Sequence, residues 1–200
     1  MTGGAVGPSD GPVRVLVAED EALIRLDLVE SLRELGYAVV AEAGDGEEAL
    51  RLAQTVPIDV ALLDISLPRL DGLSVAAELS TAGTCAVVVV TAFSQREVVT
   101  RAVEAGAMAY VVKPFTPMDL APAIELARTR FAELRALQDN VGELTDKLAA
   151  RRLIEQAKAA LVAAYGMNES DAFRFLQKKA MDDRVPMSAI AEQVLRQGKR

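Results

Sequence analysis

Histidine is absent from this 200-residue chain and cysteine occurs once. No apolar run approaches the ~20 residues that a membrane-spanning helix needs. The lack of histidine excludes His-based catalytic triads and His-ligated metal sites. The lone Cys85 excludes an internal disulfide and suits a reducing, cytoplasmic setting. It precedes an apolar run and reads as a small hydrophobe rather than a reactive thiol. The opening Met1–Pro12, rich in Gly, Ser and Pro, has no basic-plus-apolar leader pattern and reads as a flexible tail. Apolar residues make up 51% of the chain, ample for the core of one or two domains.

What is present is a series of short apolar runs, each ending in a polar group. Glu19-Asp20 follow Val13–Ala18, Asp64 follows Val60–Leu63, Thr91 follows Ala86–Val90, and Lys113-Pro114 follow Ala109–Val112. The spacing predicts five βα units, with strands near 13–18, 38–42, 59–63, 86–90 and 108–112. Helices are expected near 21–35, 46–55, 71–80, 95–105 and from 117 onward. Leu23, Leu26, Val29, Leu32 and Leu35 keep helical spacing, with Gly36 placed as a cap. The strands are almost wholly apolar, as in a parallel sheet covered on both faces. Gly44-Asp45-Gly46 lacks a phosphate-loop fingerprint and reads as a simple turn. In an open parallel α/β sheet the strand C-termini share one edge, where ligands bind. Three acids, a hydroxyl and an ammonium therefore converge in one cleft.

Clustered carboxylates repel unless a hard cation neutralises them, and Mg²⁺ takes a few carboxylate oxygens plus water and phosphate. A central carboxylate, Asp64, can act as a nucleophile toward phosphorus. Lys113 and a metal ion would stabilise the transferring phosphoryl oxygens, with Thr91 donating to one of them.

These residues, together with the loop Leu67–Gly72 and the stretch Gly106–Phe115, resemble the response-regulator receiver family over roughly residues 13 to 135. The resemblance implies a flavodoxin-like, five-stranded doubly wound parallel sheet of order 2-1-3-4-5. It implies phosphorylation of Asp64 by a sensor histidine kinase, which, in a chain without histidine, is another molecule. It also implies Mg²⁺ held by Glu19, Asp20, Asp64 and the backbone carbonyl of Ser66, a switch pair Thr91 and Tyr110, and a cis Lys113-Pro114 peptide. Glu19 departs from the family, which often has Asp there. Phosphatases with an Asp nucleophile place a second Asp two residues on; this chain has Ser66, which argues against turnover and for a persistent phosphoprotein rather than an enzyme.

From Leu120 the chain reads as one long helix, with Pro122 near its start and Gly142 weakening its middle. Leu134, Leu137, Val141, Leu144 and Leu148 alternate in three- and four-residue steps, the a/d seam of a short coiled coil that would support a homodimer. The competing arrangement packs this stripe on the helix's own domain. Beyond residue 150 the charge balance reverses: ten basic against six acidic residues, +4, where the first 150 residues carry 12 against 23, −11. A basic module on an acidic one suggests a polyanion partner. The tail reads as three helices, the first ending at Tyr165-Gly166, the second starting at Asn168 or Ser170, the third after Val185-Pro186.

Arg151–Lys158, Leu161, Tyr165-Gly166, Ala172-Phe173, Leu176, Ala180-Met181 and Ile190-Ala191 resemble the ANTAR family over about residues 135 to 197. That resemblance implies an RNA-binding output acting on tandem stem-loops in leader transcripts, by transcription antitermination and so on the transcription machinery indirectly. It places Arg151 and Lys158 as the first RNA contacts, two turns apart on one face, with Lys178 and Lys179 as further ones. Ala159 stands where that family usually has Gly. Phe173 reads as core by its spacing. The expected parts are a tail 1–12, a receiver 13–122, a helical linker 123–150 and an ANTAR domain 151–197. The alternatives are a phosphorylation-regulated DNA-binding factor, a slow aspartyl phosphatase, and a tail that binds only protein.

Overall fold

The computed structural model describes residues 11–92 and 96–197, excepting the side chains of Glu143, Leu144 and Gln197. The expected tail therefore lies almost wholly outside the described residues. Five strands alternate with helices: β1 Arg14–Ala18, α1 Ala22–Glu34, β2 Ala38–Ala43, α2 Gly46–Thr55, β3 Val60–Asp64, α3 Gly72–Ala82, β4 Ala86–Thr91, α4 Arg96–Glu104 and β5 Ala109–Val112. Three helices follow: α5 Pro117–Tyr165, α6 Glu169–Asp183 and α7 Met187–Gln197. The strands form one parallel sheet of order β2-β1-β3-β4-β5. Contacts divide the chain into two compact units, with the division after Arg135, inside α5.

The period-two alternation of each strand splits its side chains between two cores. Leu16, Ala18, Ala61, Leu63, Val87 and Val89 join Ala49 and Ala53 of α2, Val75, Ala76 and Leu79 of α3, and Ala102 of α4. Val15, Val17, Val60, Leu62, Val88 and Val90 join Leu28, Val29 and Leu32 of α1 and Leu120, Ile124 and Ala127 of α5. Cys85 is fully buried, and burial pushes its thiol up to about 12, so it is the packing residue expected.

The α1 stripe is only partly the buried one. Val29 and Leu32 are buried, but Leu23 is 82% exposed and Leu26 and Leu35 are exposed, while Leu28 and Ser31 turn inward instead. Gly36 does cap α1, at φ +86°, with Tyr37 N–H donating to the Leu32 carbonyl. The seam residues Leu134, Leu137, Val141 and Leu148 are all exposed. The described part of that stripe therefore does not pack on its own domain; the Leu144 side chain lies outside the described residues.

In the second unit Ala157 and Leu161 of α5 pack with Ala172, Leu176 and Ala180 of α6 and Ile190 and Ala191 of α7. Four of these seven are alanines, which let the helices approach closely. Asn168 is the N-cap of α6, accepting from the Asp171 N–H. Phe173, expected in this core, is 40% exposed instead. The alanine at 172 takes the inward position, which turns the next residue away by about 100°.

At the sheet edge away from the strand C-termini, Asp59 joins β1 to β3. Its carboxylate accepts from the Arg14 backbone N–H at 2.8 Å and from the guanidinium at 3.0 and 2.8 Å, and its own N–H donates to the Arg14 carbonyl. The Arg14 hydrogen bonds hold Asp59 below the usual carboxylate range. Its stabilisation is thus fully present above the unfolded-chain pKa of about 4 and is lost as pH falls through the lower folded value. Asp59→Asn is expected to destabilise the fold by about 1 kcal/mol at pH 7, the pair being half-exposed. The gap to the parent protein should close under acid, measured by urea unfolding across pH.

Candidate functional site

Each polar residue that ends an apolar run arrives at the same sheet edge. Glu19 and Asp20 follow β1, Asp64 ends β3, Thr91 ends β4 and Lys113 follows β5. Lys113 Nζ lies 2.6 Å from Glu19 Oε2 and 2.8 Å from Asp64 Oδ1. The other Asp64 oxygen accepts from the Ser66 N–H at 2.7 Å. Glu19, Asp64 and Thr91 are buried, and Asp20 is exposed. The Lys113 N–H donates to the Thr91 carbonyl at 2.8 Å, and the Lys113-Pro114 peptide is cis. Asp20, Asp64, Ser66, Lys113 and Phe115 line an open cavity of about 560 Å³.

The charges do not balance. Burial pushes Glu19 up, with the Asp64 charge adding to it and Lys113 opposing. Burial acts to lower Lys113, but its bonds to Asp64 and Glu19 win and raise it. One ammonium thus serves two carboxylates, and with Asp20 the group carries a formal excess of two negative charges. Oxygens of Glu19, Asp20 and Asp64 lie within 4.8 Å of one another. Glu19 Oε2 is buried and, despite the nearby ammonium, accepts no aligned hydrogen bond. A donor set of hard oxygens with that excess fits a divalent cation.

Tyr110, the other half of the expected switch pair, is 48% exposed, whereas Thr91 is buried. Asp45, expected in a simple turn, is buried and N-caps α2, accepting from the Glu48 N–H at 2.9 Å. It also pairs with Arg69, one of two non-glycine residues at positive φ among those described. The Asp45–Glu48 spacing was a readable cap signal; nothing in the sequence marks Arg69 as its partner. Asp71 N-caps α3 through the Leu73 and Ser74 N–H groups. Two glycines seat this loop: a Cβ on Gly46 would overlap the Leu70 carbonyl, and one on Gly72 the Asp64 carbonyl.

In the second unit Arg151 is exposed, whereas the Lys158 side chain is only 14% exposed and pairs with Glu155 at 3.0 Å and Glu169 at 3.7 Å. Lys178 is exposed, and Lys179 lies 3.6 Å from Asp183.

The response regulator receiver domain model matches residues 15–125 and the ANTAR domain model residues 142–195. The chain belongs to the response-regulator family, with an ANTAR output. Transcriptional regulatory protein PdtaR of Mycobacterium tuberculosis H37Rv is 53% identical over 184 residues, 92% of this chain and 90% of that one. Chemotaxis protein CheY of Thermotoga maritima is 32% identical over 112 residues, 56% of this chain and 93% of its own. The signal receiver domain of NarL from Mycobacterium tuberculosis superposes with a TM-score of 0.56 at 33% identity, covering 59% of this chain and 98% of that one. CheY in a CheX–CheY–BeF₃–Mg²⁺ complex from Borrelia burgdorferi gives 0.54 at 25% identity, covering 57% and 87%. The protein is thus a two-component response regulator with an output of the RNA-binding antitermination class. Among the described residues no helix is long and apolar enough to cross a membrane.

Gly72→Ala is expected to displace the backbone carrying Asp64, because the clash is with main chain rather than a movable side chain. Its expected cost is about 1–3 kcal/mol of stability by chemical denaturation, together with slower phosphoryl uptake.

Proposed function

We propose that Asp64 accepts a phosphoryl group from the phosphohistidine of a partner kinase and that the new charge controls RNA binding by the ANTAR unit. Two observations support this: Asp64 is held by Lys113 inside a three-carboxylate cluster, and the C-terminal residues match the ANTAR family. The Asp64 carboxylate oxygen attacks phosphorus, the phosphorus–nitrogen bond to the donor imidazole breaks, and its electron pair stays on the ring nitrogen. An acyl phosphate results. Glu19, Asp20, Asp64 and the Ser66 carbonyl would hold Mg²⁺, which when bound supplies positive charge to the phosphoryl oxygens. Lys113 orients Asp64 beforehand and keeps one cation beside the transferred group. Thr91 donates to a phosphoryl oxygen, and Tyr110 moves inward toward it, so both ends of the switch pair respond to one charge. With Ser66 where aspartyl phosphatases carry their general acid, the product persists as a signal.

In this reading the parts are a receiver over 13–122, a helical linker over 123–150 and an RNA-binding domain over 151–197. Arg151, Lys158, Lys178 and Lys179 attract RNA phosphates, and tandem stem-loops engage two copies joined along the exposed seam. Incubation with acetyl phosphate and Mg²⁺ is expected to give a slower-migrating species on a phosphate-affinity gel and tighter binding to a tandem stem-loop RNA. Chelation or Asp64→Ala should abolish both; a phosphoform that survives in Asp64→Ala would sink the assignment. Duplex DNA bound in place of RNA would instead favour the DNA-binding alternative.

The seam has its own test. Leu137 and Val141 are each 63% exposed. The double variant Leu137→Glu/Val141→Glu should leave thermal stability of the monomer unchanged and shift sedimentation of the phosphorylated protein from dimer to monomer.

A further inference from the structure

The second unit has an apolar cavity that its core does not need. Leu161, Ala164 and Tyr165 of α5, Met167, Phe175 of α6 and Val194 of α7 line an open volume of about 350 Å³. The core beside it is already closed by Ala157, Leu161, Leu176, Ile190 and Ala191. The two aromatics lining the cavity stay exposed, Tyr165 by 73% and Phe175 by 41%.

We propose that this cavity receives one unpaired RNA base, stacked on Tyr165 and Phe175, with Lys178 and Lys179 on the flanking phosphates, an inference that rests on the RNA-binding reading above. Charge placement selects this occupant. Lys178 and Lys179 follow Phe175 by three and four residues, so they neighbour it on the surface of α6. Lys178 has no ion-pair partner among the described residues, and Lys179 holds Asp183 only at 3.6 Å. On α5, Arg151, Lys158 and Tyr165 recur every seven residues and follow one face of the helix. Glu155 and Glu169, beside this row, are both engaged with Lys158. An aromatic-lined slot with cations on its borders matches a flat π-face carried on a phosphate backbone. Paired RNA offers no such face, because its bases are stacked and its deep groove is closed to side chains; loop bases can be splayed out.

The full-length protein would be titrated with an RNA of two tandem stem-loops carrying 2-aminopurine at one loop position at a time, and with a fully paired duplex of the same stems. Tyr165→Ala and Phe175→Ala are each expected to weaken stem-loop binding about ten-fold or more, the scale of one lost base stack. Tyr165→Phe should bind like the parent. One loop position should be quenched in the complex and regain emission in Tyr165→Ala. Because Tyr165 is exposed, its circular dichroism should match the parent and serve as the folding control. Binding that survives both alanine variants, with no loop position quenched, overturns the cavity assignment and leaves the RNA-binding reading intact. Equal losses for stem-loop and duplex also overturn it, since an unpaired base is then not what is recognised. Failure of the parent protein to bind the RNA, with or without acetyl phosphate, removes both.

Discussion

The Lys113 ammonium between Glu19 and Asp64 is the interaction on which the receiver unit turns, because it brings the C-terminal ends of three strands to one point. That meeting requires the strand order. With β3 central and β1 and β4 on either side, the acids after β1, the acid ending β3 and the hydroxyl ending β4 become neighbours, and β5 adds the lysine from the next position. The edge strand β2 contributes no side chain to the cluster, only the Ala43 carbonyl that accepts from the Glu19 N–H. Register matters equally, since a one-residue slip in a parallel pair reverses the faces of every side chain. The Arg14–Asp59 bonds fix β1 against β3 at the far edge, and the Ala86 N–H donating to the Asp59 carbonyl brings in β4. The site geometry at one edge is thus set by a polar anchor at the other.

How much of this was legible depended on whether a residue's role followed from its own strand or helix. The strand ends were readable because a buried apolar run stops abruptly at a carboxylate, a threonine or a lysine, and parallel topology puts all such ends together. The direction of α1 was not. Its leucines are spaced so that two adjacent stripes are both plausible, and the one containing Leu28 and Ser31 faces the sheet because the turn at Glu19–Glu21 fixes how the helix enters. Phe173 is outside for a related reason: Ala172, Leu176 and Ala180 set the inward face of α6, and residue 173 lies about 100° round the helix from 172. Asp45 and Arg69 were invisible as a pair because they come from different βα loops. Only the tertiary fit of Gly46 and Gly72 against main-chain carbonyls brings those loops together.

Two arginines of α5 hold the approaches to β4 and β5, at the sheet edge opposite the carboxylate cluster. Arg130 donates to the Met108 carbonyl, just before β5, and Arg135 donates to the Gly83 carbonyl, just before β4, while its guanidinium sits 5.8 Å from the Phe131 ring centroid. Leu120, Ile124 and Ala127 bury the face between. Both arginine anchors grip the approach to a strand whose far end leads into the polar cluster, at Thr91 for β4 and Lys113 for β5. A charge added at Asp64 can alter the output only through contacts that differ between two arrangements of such elements. In the proposed switch the exposed Tyr110 on β5 and the buried Thr91 on β4 would be the side chains that rearrange, and each lies on a strand whose approach α5 holds.

The acidic partners of Lys158 constrain how the second unit can meet RNA. A cation already held by Glu155 at 3.0 Å, with Glu169 beyond it at 3.7 Å, must exchange carboxylate for phosphate, so part of the Coulomb gain replaces an attraction that existed before. Those carboxylates also stay nearby and oppose the incoming anion. Such a lysine adds less to affinity than an unpaired one and more to selectivity, because only a phosphate placed well enough to displace Glu155 recovers the loss. Lys178 and Arg151 have no carboxylate partner among the described residues and, in the proposed RNA-binding reading, would supply the undirected, salt-dependent attraction. In that reading, nonspecific capture and specific docking would be divided between different residues of one small helical unit: the cations without a carboxylate partner would draw any polyanion in, and the carboxylate-guarded lysine and the aromatic cavity would determine which one stays.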